Sequence, residues 1–324
     1  MLGWGHSYLM VEPNHFRVDY SINPYMDVHE QPDPGHAREQ WLHLVDAIRT
    51  SGAKVEVLGQ RPDTPDMVFA MNLGLVASRA AAPSGHGQQV VLSHMRYAER
   101  RLETPAAAAW FSAAGFAECW VGRDGVGAHF EAGDAFAFGD ALVVGFGPRT
   151  EALGLKHLAV SLDTRVRGLR ITHPGMYHLD LAFCPLDETR AMVFPGAFDE
   201  SSAAAAVRMV PDPLVLTEDE ALTFCANSVV IGRRILMPAC PDRVRAQLEA
   251  WGFEIVLVDV SEFHKAGGSV RCLTNPLDVL LGRDLPELPG GEVLTPRNPL
   301  PSALTRSGVR RTRAYRPPAH LQPS

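Results

Sequence analysis

Residues 264–272 read HKAGGSVRC, and the stretch ends on a thiol. Gly267 and Gly268 mark a bend or a close approach that a side chain would block. Ser269-Val270-Arg271 leaves room for only a short extended step before Cys272. A cysteine there is either a buried plug or a nucleophile held at a pocket edge. Four other stretches put polar groups inside apolar runs. PNHFRVDYSINPYM (13–26) reads as an alternating strand closed by Asn23-Pro24, and PDMVFAMNLGLV (65–76) carries Asp66 and Asn72. HFEAGDAFAFGDALVVG (129–145) carries Glu131 and Asp134, and MYHLDLAFCPL (176–186) carries His178 and Asp180. Read as strand residues, His178 and Asp180 share a face, because positions i and i+2 do.

Each of these has a plain structural reading: a turn at Asn23-Pro24, a surface turn at Asp66, a hairpin flanked by Glu131 and Asp134, a satisfied core histidine at His178. Taken together they suggest a pocket lined by carboxylates, amides, one His and one Cys. Facing carboxylates suit a planar guanidinium with its fixed fork of N–H donors. A thiolate can attack the central guanidinium carbon, and a His can protonate the leaving nitrogen and then activate water. A metal site would need further ligands, and no second His cluster has the spacing for one.

The elements that would position these groups alternate between short strands and medium helices. MVFAMNLGLVA (67–77), QVVLS (89–93), AECWV, HFEAGDAFAF and ALVVGFG read as strands. TPAAAAWFSAAG (104–115) and PDRVRAQLEAWG (241–252) read as helices, the second with Gly252 as its stop signal. FEIVLVDV (253–260) reads as a buried strand. Strand-rich units with one helix each recur every 40 to 60 residues, without a strong residue-level repeat. The class is mixed α/β in one domain.

Bulk properties narrow the function. The 324 residues are 46% hydrophobic and 21% charged, with a net charge of −7, which gives no reason to expect nucleic acid. No apolar run approaches a membrane span. The start, MLGWGHSYLM, has neither the cationic region nor the apolar core of a signal peptide. Five irregularly spaced cysteines with no CxxC pair argue against a disulfide framework and suit a reducing, cytoplasmic compartment. The stretch 301–324 holds five Arg and no acidic residue. It reads as a disordered basic tail behind a Pro-rich linker, so that 1–285 forms the catalytic domain and 286–324 the linker and tail.

The ordered series HFRVDYSINPYM, DMVFAMN, MRYAERRLET, FEAGDA, GFGPRT, YHLDLAF and EFHKAGGSVRC resembles the guanidino-group-modifying (amidinotransferase) superfamily over about residues 8–285. Its members include arginine deiminases, dimethylarginine dimethylaminohydrolases, arginine dihydrolases and amidinotransferases. The resemblance implies a five-bladed α/β propeller of pseudo-fivefold ββαβ repeats with a central active site. It implies Cys272 as nucleophile, His178 as general acid/base and Glu131 as the carboxylate supporting His178 and the guanidinium. Asp180 matches a second guanidinium-binding carboxylate. Arg149 matches an arginine for the substrate's α-carboxylate, with Arg96 and Arg100 as candidates for a second such contact. No metal or organic cofactor is implied, and a homo-oligomer is left open.

Local chemistry separates the subfamilies. A dimethylated guanidine nitrogen has no N–H to offer, so a carboxylate facing it would be left unpaired. Asp180 therefore favours an unmethylated guanidine. Where deiminases carry an acid this chain has Asn72, and Asn23 with Asn72 resembles the arginine dihydrolase pattern. Arginine dihydrolase is accordingly the expected activity, arginine yielding ornithine, ammonia and carbon dioxide. Dimethylarginine dimethylaminohydrolase is the alternative, then an amidinotransferase. A non-catalytic arginine-binding protein would have no use for the nucleophile.

Overall fold

The computed structural model describes residues 2–79, 88–281 and 293–294. The linker and tail expected over 286–324 lie outside the described residues, apart from Val293–Leu294, which pairs antiparallel with Arg165–Arg170.

One strand pattern recurs five times among the described residues. An entering strand pairs antiparallel with a middle strand, a helix follows, and the chain returns as an outer strand parallel to the middle one. The first unit joins Asn275–Pro276, Ser7–Val11 and Lys54–Leu58. The second joins Gly74–Arg79, Gln89–Leu92 and Ala117–Trp120. The third joins Ala135–Phe138, Ala141–Phe146 and Arg165–Arg170. The fourth joins Phe183–Pro185, Arg190–Val193 and Asp212–Val215. The fifth joins Val229–Ile231, Arg234–Met237 and Glu254–Leu257. The first unit takes its entering strand from the far end of the chain, so residues 7–11 and 275–276 close the series.

Parallel neighbours cannot be joined by a tight turn, and a helix makes each crossover. These helices are Pro34–Thr50, Glu103–Ala113, Ala152–Ser161, Glu200–Arg208 and Asp242–Ala250. Pro34–Thr50 shows how the sequence specifies one. Asp33 caps it by accepting from His36 N–H, and Pro34 sits in the first turn, where its missing N–H costs nothing. Ala37, Trp41, Leu44, Val45 and Ile48 then bury one stripe. Helix Asp242–Ala250 stops as its sequence predicts, with Gly252 at φ +79.

Three expectations are corrected. The run 67–77 is not one strand: residues 65–68 and 70–73 form 3-10 turns, and the strand begins at Gly74. Local i to i+3 bonds such as Asn72 N–H to Phe69 O satisfy the backbone there, and an apolar run cannot distinguish a buried turn from a buried strand. MYHLDLAF likewise holds a turn at Leu179–Leu181 and a strand only from Phe183, so His178 and Asp180 are not strand neighbours. FEIVLVDV supplies an outer strand, Glu254–Leu257, which among the described residues pairs only with Arg234–Met237, and Leu257 is exposed. No helix among the described residues is long and apolar enough to cross a membrane.

Candidate active site

The buried polar groups and the thiol sit in the turns that enter the first strand of each unit. Asn72 precedes Gly74, Glu131 and Asp134 precede Ala135, and His178 and Asp180 precede Phe183. Asn227 precedes Val229, and Cys272 precedes Asn275. These turns are latched to one another in a closed circuit of side-chain hydrogen bonds. Gly133 N–H donates to Asn72 Oδ1 at 3.0 Å, and Leu179 N–H donates to Asp134 Oδ1 at 2.9 Å. Asn227 Nδ2 donates to Asp180 O at 3.1 Å, and Cys272 N–H donates to Asn227 Oδ1 at 3.2 Å. Asn275 Nδ2 completes the round by donating to Ala70 O at 3.0 Å and Gly74 O at 2.8 Å. Each buried amide or acid thus satisfies a neighbouring unit's backbone and fixes its own rotamer.

Cys272 is buried, and its Sγ lies 3.6 Å from Asp180 Oδ2 and 3.2 Å from Asn227 Nδ2. Burial, reinforced by the Asp180 charge, holds the resting thiol well above its ordinary range. Burial also pushes Asp180 up to about 7, although the buried Arg271 opposes it. Among the described residues, Asp180 Oδ1 and His178 Nδ1 have no hydrogen-bond partner. A cation entering beside Asp180 would pull protons off both acids at once, because it favours each ionised form.

His178 Nε2 lies 2.8 Å from Glu131 Oε2. Burial alone would raise Glu131, but Arg149 at 3.1 Å and the His178 bond hold it well below the usual carboxylate range. An ionised carboxylate only accepts, so Nε2 carries the hydrogen and Nδ1 carries the lone pair. Burial lowers His178 to about 4, so the ring is neutral at physiological pH. Gly133 is the point of convergence. A Cβ there would lie 2.8 Å from Asn72 Oδ1, 3.2 Å from Asp180 Oδ2 and 3.4 Å from His178 Cγ.

A small cavity opens on these groups, lined among others by Asn23, Asp66, Asn72, Arg149, His178 and Cys272. Arg149 is held between the Tyr97 and Tyr177 rings, at 4.8 and 4.7 Å. Asp66 accepts from Tyr20 at 3.1 Å, and its Oδ1 has no partner among the described residues. Asn23 lines the cavity, yet both ends of its amide are engaged: Nδ2 with Ala266 O, Oδ1 with Tyr25 N–H. It braces the glycine turn, where Gly267 has φ +82 and a Cβ would lie 2.7 Å from Asn23 Oδ1. The segment 13–26 carries no strand, contrary to its alternating pattern; Gln60 and Gln31 side chains hold it as a loop.

Arg96 is the site residue that the structure does not bring in. Its backbone N–H donates to Glu131 Oε1 at 3.0 Å, while its guanidinium turns to solvent and pairs with Glu151 at 2.7 Å. Arg100 lines the cavity in its place, paired with buried Glu103 through two 2.8 Å bonds. Sequence reasoning missed Asn227, although a signal was present. FAMN (69–72) and FCAN (224–227) share the form F-x-x-N ahead of an entering strand, and both make the same Asn N–H to Phe O bond.

Fold and site together define a guanidino-group-modifying enzyme. The chain belongs to the N,N dimethylarginine dimethylhydrolase family, whose eukaryotic model matches residues 12–279. Among curated relatives it is 33% identical over 267 residues to the N(G),N(G)-dimethylarginine dimethylaminohydrolase of Mycobacterium tuberculosis, covering 82% of this chain and 84% of that one. It is 36% identical over 273 residues to the bifunctional arginine dihydrolase/ornithine cyclodeaminase ArgZ of Synechocystis, covering 82% of this chain and 37% of that protein. The match is therefore to little more than a third of the bifunctional relative. Among solved structures, the product-bound N-terminal domain of ArgZ, a cyanobacterial arginine dihydrolase, aligns with a TM-score of 0.78 at 34% identity, over 86% of this chain and 99% of that domain.

Proposed function

We propose that the chain is an arginine dihydrolase, a hydrolase of guanidinium C–N bonds working through Cys272. The carrying observation is the amide of Asn72. Gly133 N–H engages its Oδ1, so the NH₂ end is the one available to the cavity. A donor there suits the carbonyl oxygen of a ureido intermediate, which a carboxylate would repel. The intermediate stays for a second attack.

In the first round Cys272 Sγ bonds to the guanidinium carbon as the thiol proton passes to His178 Nδ1. The C–N bond to one terminal nitrogen breaks, and His178 returns the proton to departing ammonia. Water then breaks the S–C bond, giving citrulline and restoring the thiol. A second water-consuming round at the same carbon gives ornithine, a second ammonia and carbon dioxide. Asp180 holds the cation beside the sulfur, and Glu131 fixes the His178 tautomer. Arg149 and Arg100 supply positive charge for an α-carboxylate, and Asp66 Oδ1 offers an acceptor among them. No cofactor enters this scheme.

The five units of one pairing pattern and the closed circuit of latches support the reading of the fold as a five-bladed propeller about this site. The family's other activity, release of dimethylamine from dimethylarginine, is the second reading. It is favoured by the match to the Mycobacterium tuberculosis enzyme. Purified protein given arginine, and separately asymmetric dimethylarginine, decides between them. Ornithine with two equivalents of ammonia supports the dihydrolase. Citrulline with dimethylamine, arginine being left intact, would overturn it.

A further inference from the structure

We propose that Asn227 is the positioning residue of the nucleophile: its amide fixes Cys272 Sγ and selectively stabilises the ionised sulfur. This rests on Cys272 being the nucleophile. The side chain is fully buried and engaged entirely with the reacting segments. Its Oδ1 accepts from Arg271 N–H at 2.9 Å and Cys272 N–H at 3.2 Å. Both partners can only donate, so the amide orientation is compelled and Nδ2 must carry the contacts on the other side. Those contacts are Cys272 Sγ at 3.2 Å and the Asp180 carbonyl at 3.1 Å. One amide therefore sets the sulfur, the nucleophile's backbone and the segment bearing the guanidinium carboxylate.

The donor contact has a sign. A thiolate accepts an N–H bond far better than a thiol does, and in a buried site that difference is not diluted by water. Asp180 Oδ2, on the same sulfur at 3.6 Å, acts in the opposite sense until a cation neutralises it. The backbone holds the amide at a cost. Phe224, three residues earlier, adopts φ +62, which a bulky side chain rarely does. Its ring is packed against Tyr25 at 5.0 Å and stacked on His264 at 4.7 Å, and its carbonyl accepts Asn227 N–H at 2.8 Å. Such a conformation persists only where surrounding packing holds it, and here it places Asn227.

The test reads the thiol and needs no substrate. Alkylation of Cys272 by iodoacetamide is followed against pH in the native chain, Asn227→Asp and Asn227→Ser. The first exchanges the donor for a charge of similar shape; the second is too short to reach the sulfur. Loss of a hydrogen bond to a charged group predicts alkylation about tenfold slower or more near neutrality, with the alkaline limb displaced upward. In the native chain, one ¹⁵N-resolved Asn side-chain amide should shift when Cys272 is alkylated. Folded variants with native rate and pH dependence, or no responding amide, would overturn the proposal. A native chain that alkylates normally but leaves arginine untouched would sink the dihydrolase reading alone.

Discussion

Asp180 Oδ2 stands 3.6 Å from Cys272 Sγ, both groups buried, so the carboxyl proposed to bind the guanidinium lies directly beside the proposed nucleophile. This contact makes the two titrations interdependent and governs the pH response of the site.

Asp180 is raised from 3.8 to about 7, so the folded chain holds a proton there that the unfolded chain releases between those values. Its contribution is largest below about 4 and is lost as pH rises through 7. His178, lowered from 6.5 to about 4, acts in the opposite sense, its contribution growing as pH rises over that window. Asp180→Asn should therefore melt about 2–6 °C higher than the native chain at pH 8. The same variant should lose about 100-fold or more in kcat/KM for arginine, because the cation loses its charged partner. Native kcat/KM should fall as pH drops below about 7, with Asp180 protonating. A melting point at pH 8 equal to or below the native one would refute the account of Asp180.

Glu131→Gln leaves the shape of the His178 contact but allows the amide to donate to Nε2. The Nδ1 lone pair is then no longer guaranteed, and kcat should fall about 10³-fold with little change in KM. Steady-state kinetics at pH 7 to 9 check this, and a drop of under fivefold would show that the tautomer is not set by Glu131.

Asn72→Asp keeps an acceptor for Gly133 N–H and turns an oxygen, not an NH₂, toward the cavity. Citrulline should accumulate at the expense of ornithine, which chromatography of the amino acid products would reveal. Unchanged ornithine output would remove the reason for assigning two rounds of hydrolysis.

Gly133→Ala puts a methyl group against Asn72, Asp180 and His178 at the distances given above. Displacing three groups of one constellation should cost about 100-fold in activity while lowering the melting temperature by only a few degrees. Comparable kcat in alanine and glycine forms would mean that the convergence on this residue does not matter to catalysis.

Much of this protein follows from its sequence alone. Motif order along the chain put forward Cys272, His178, Glu131, Asp180 and Asn72 as one pocket, and the fold brings these side chains together. Alternation of short apolar runs with amphipathic helices fixed the α/β class, and the caps at Asp33 and Gly252 act locally. Tertiary structure decided what depends on distant partners. Whether apolar runs such as 67–73 become turn or strand depends on which carbonyls lie nearby, and period-2 counting cannot see that. Arg96 and Arg100, four residues apart on one polar stretch, divide between solvent and cavity because only the Arg100 guanidinium pairs with a buried acid, Glu103, while that of Arg96 pairs with half-exposed Glu151. Asn227 reads as an ordinary amide until the fold brings it, from 45 residues away in sequence, to within 3.2 Å of the sulfur. Long-range convergence of this kind is set by packing of whole units, and no local spacing encodes it.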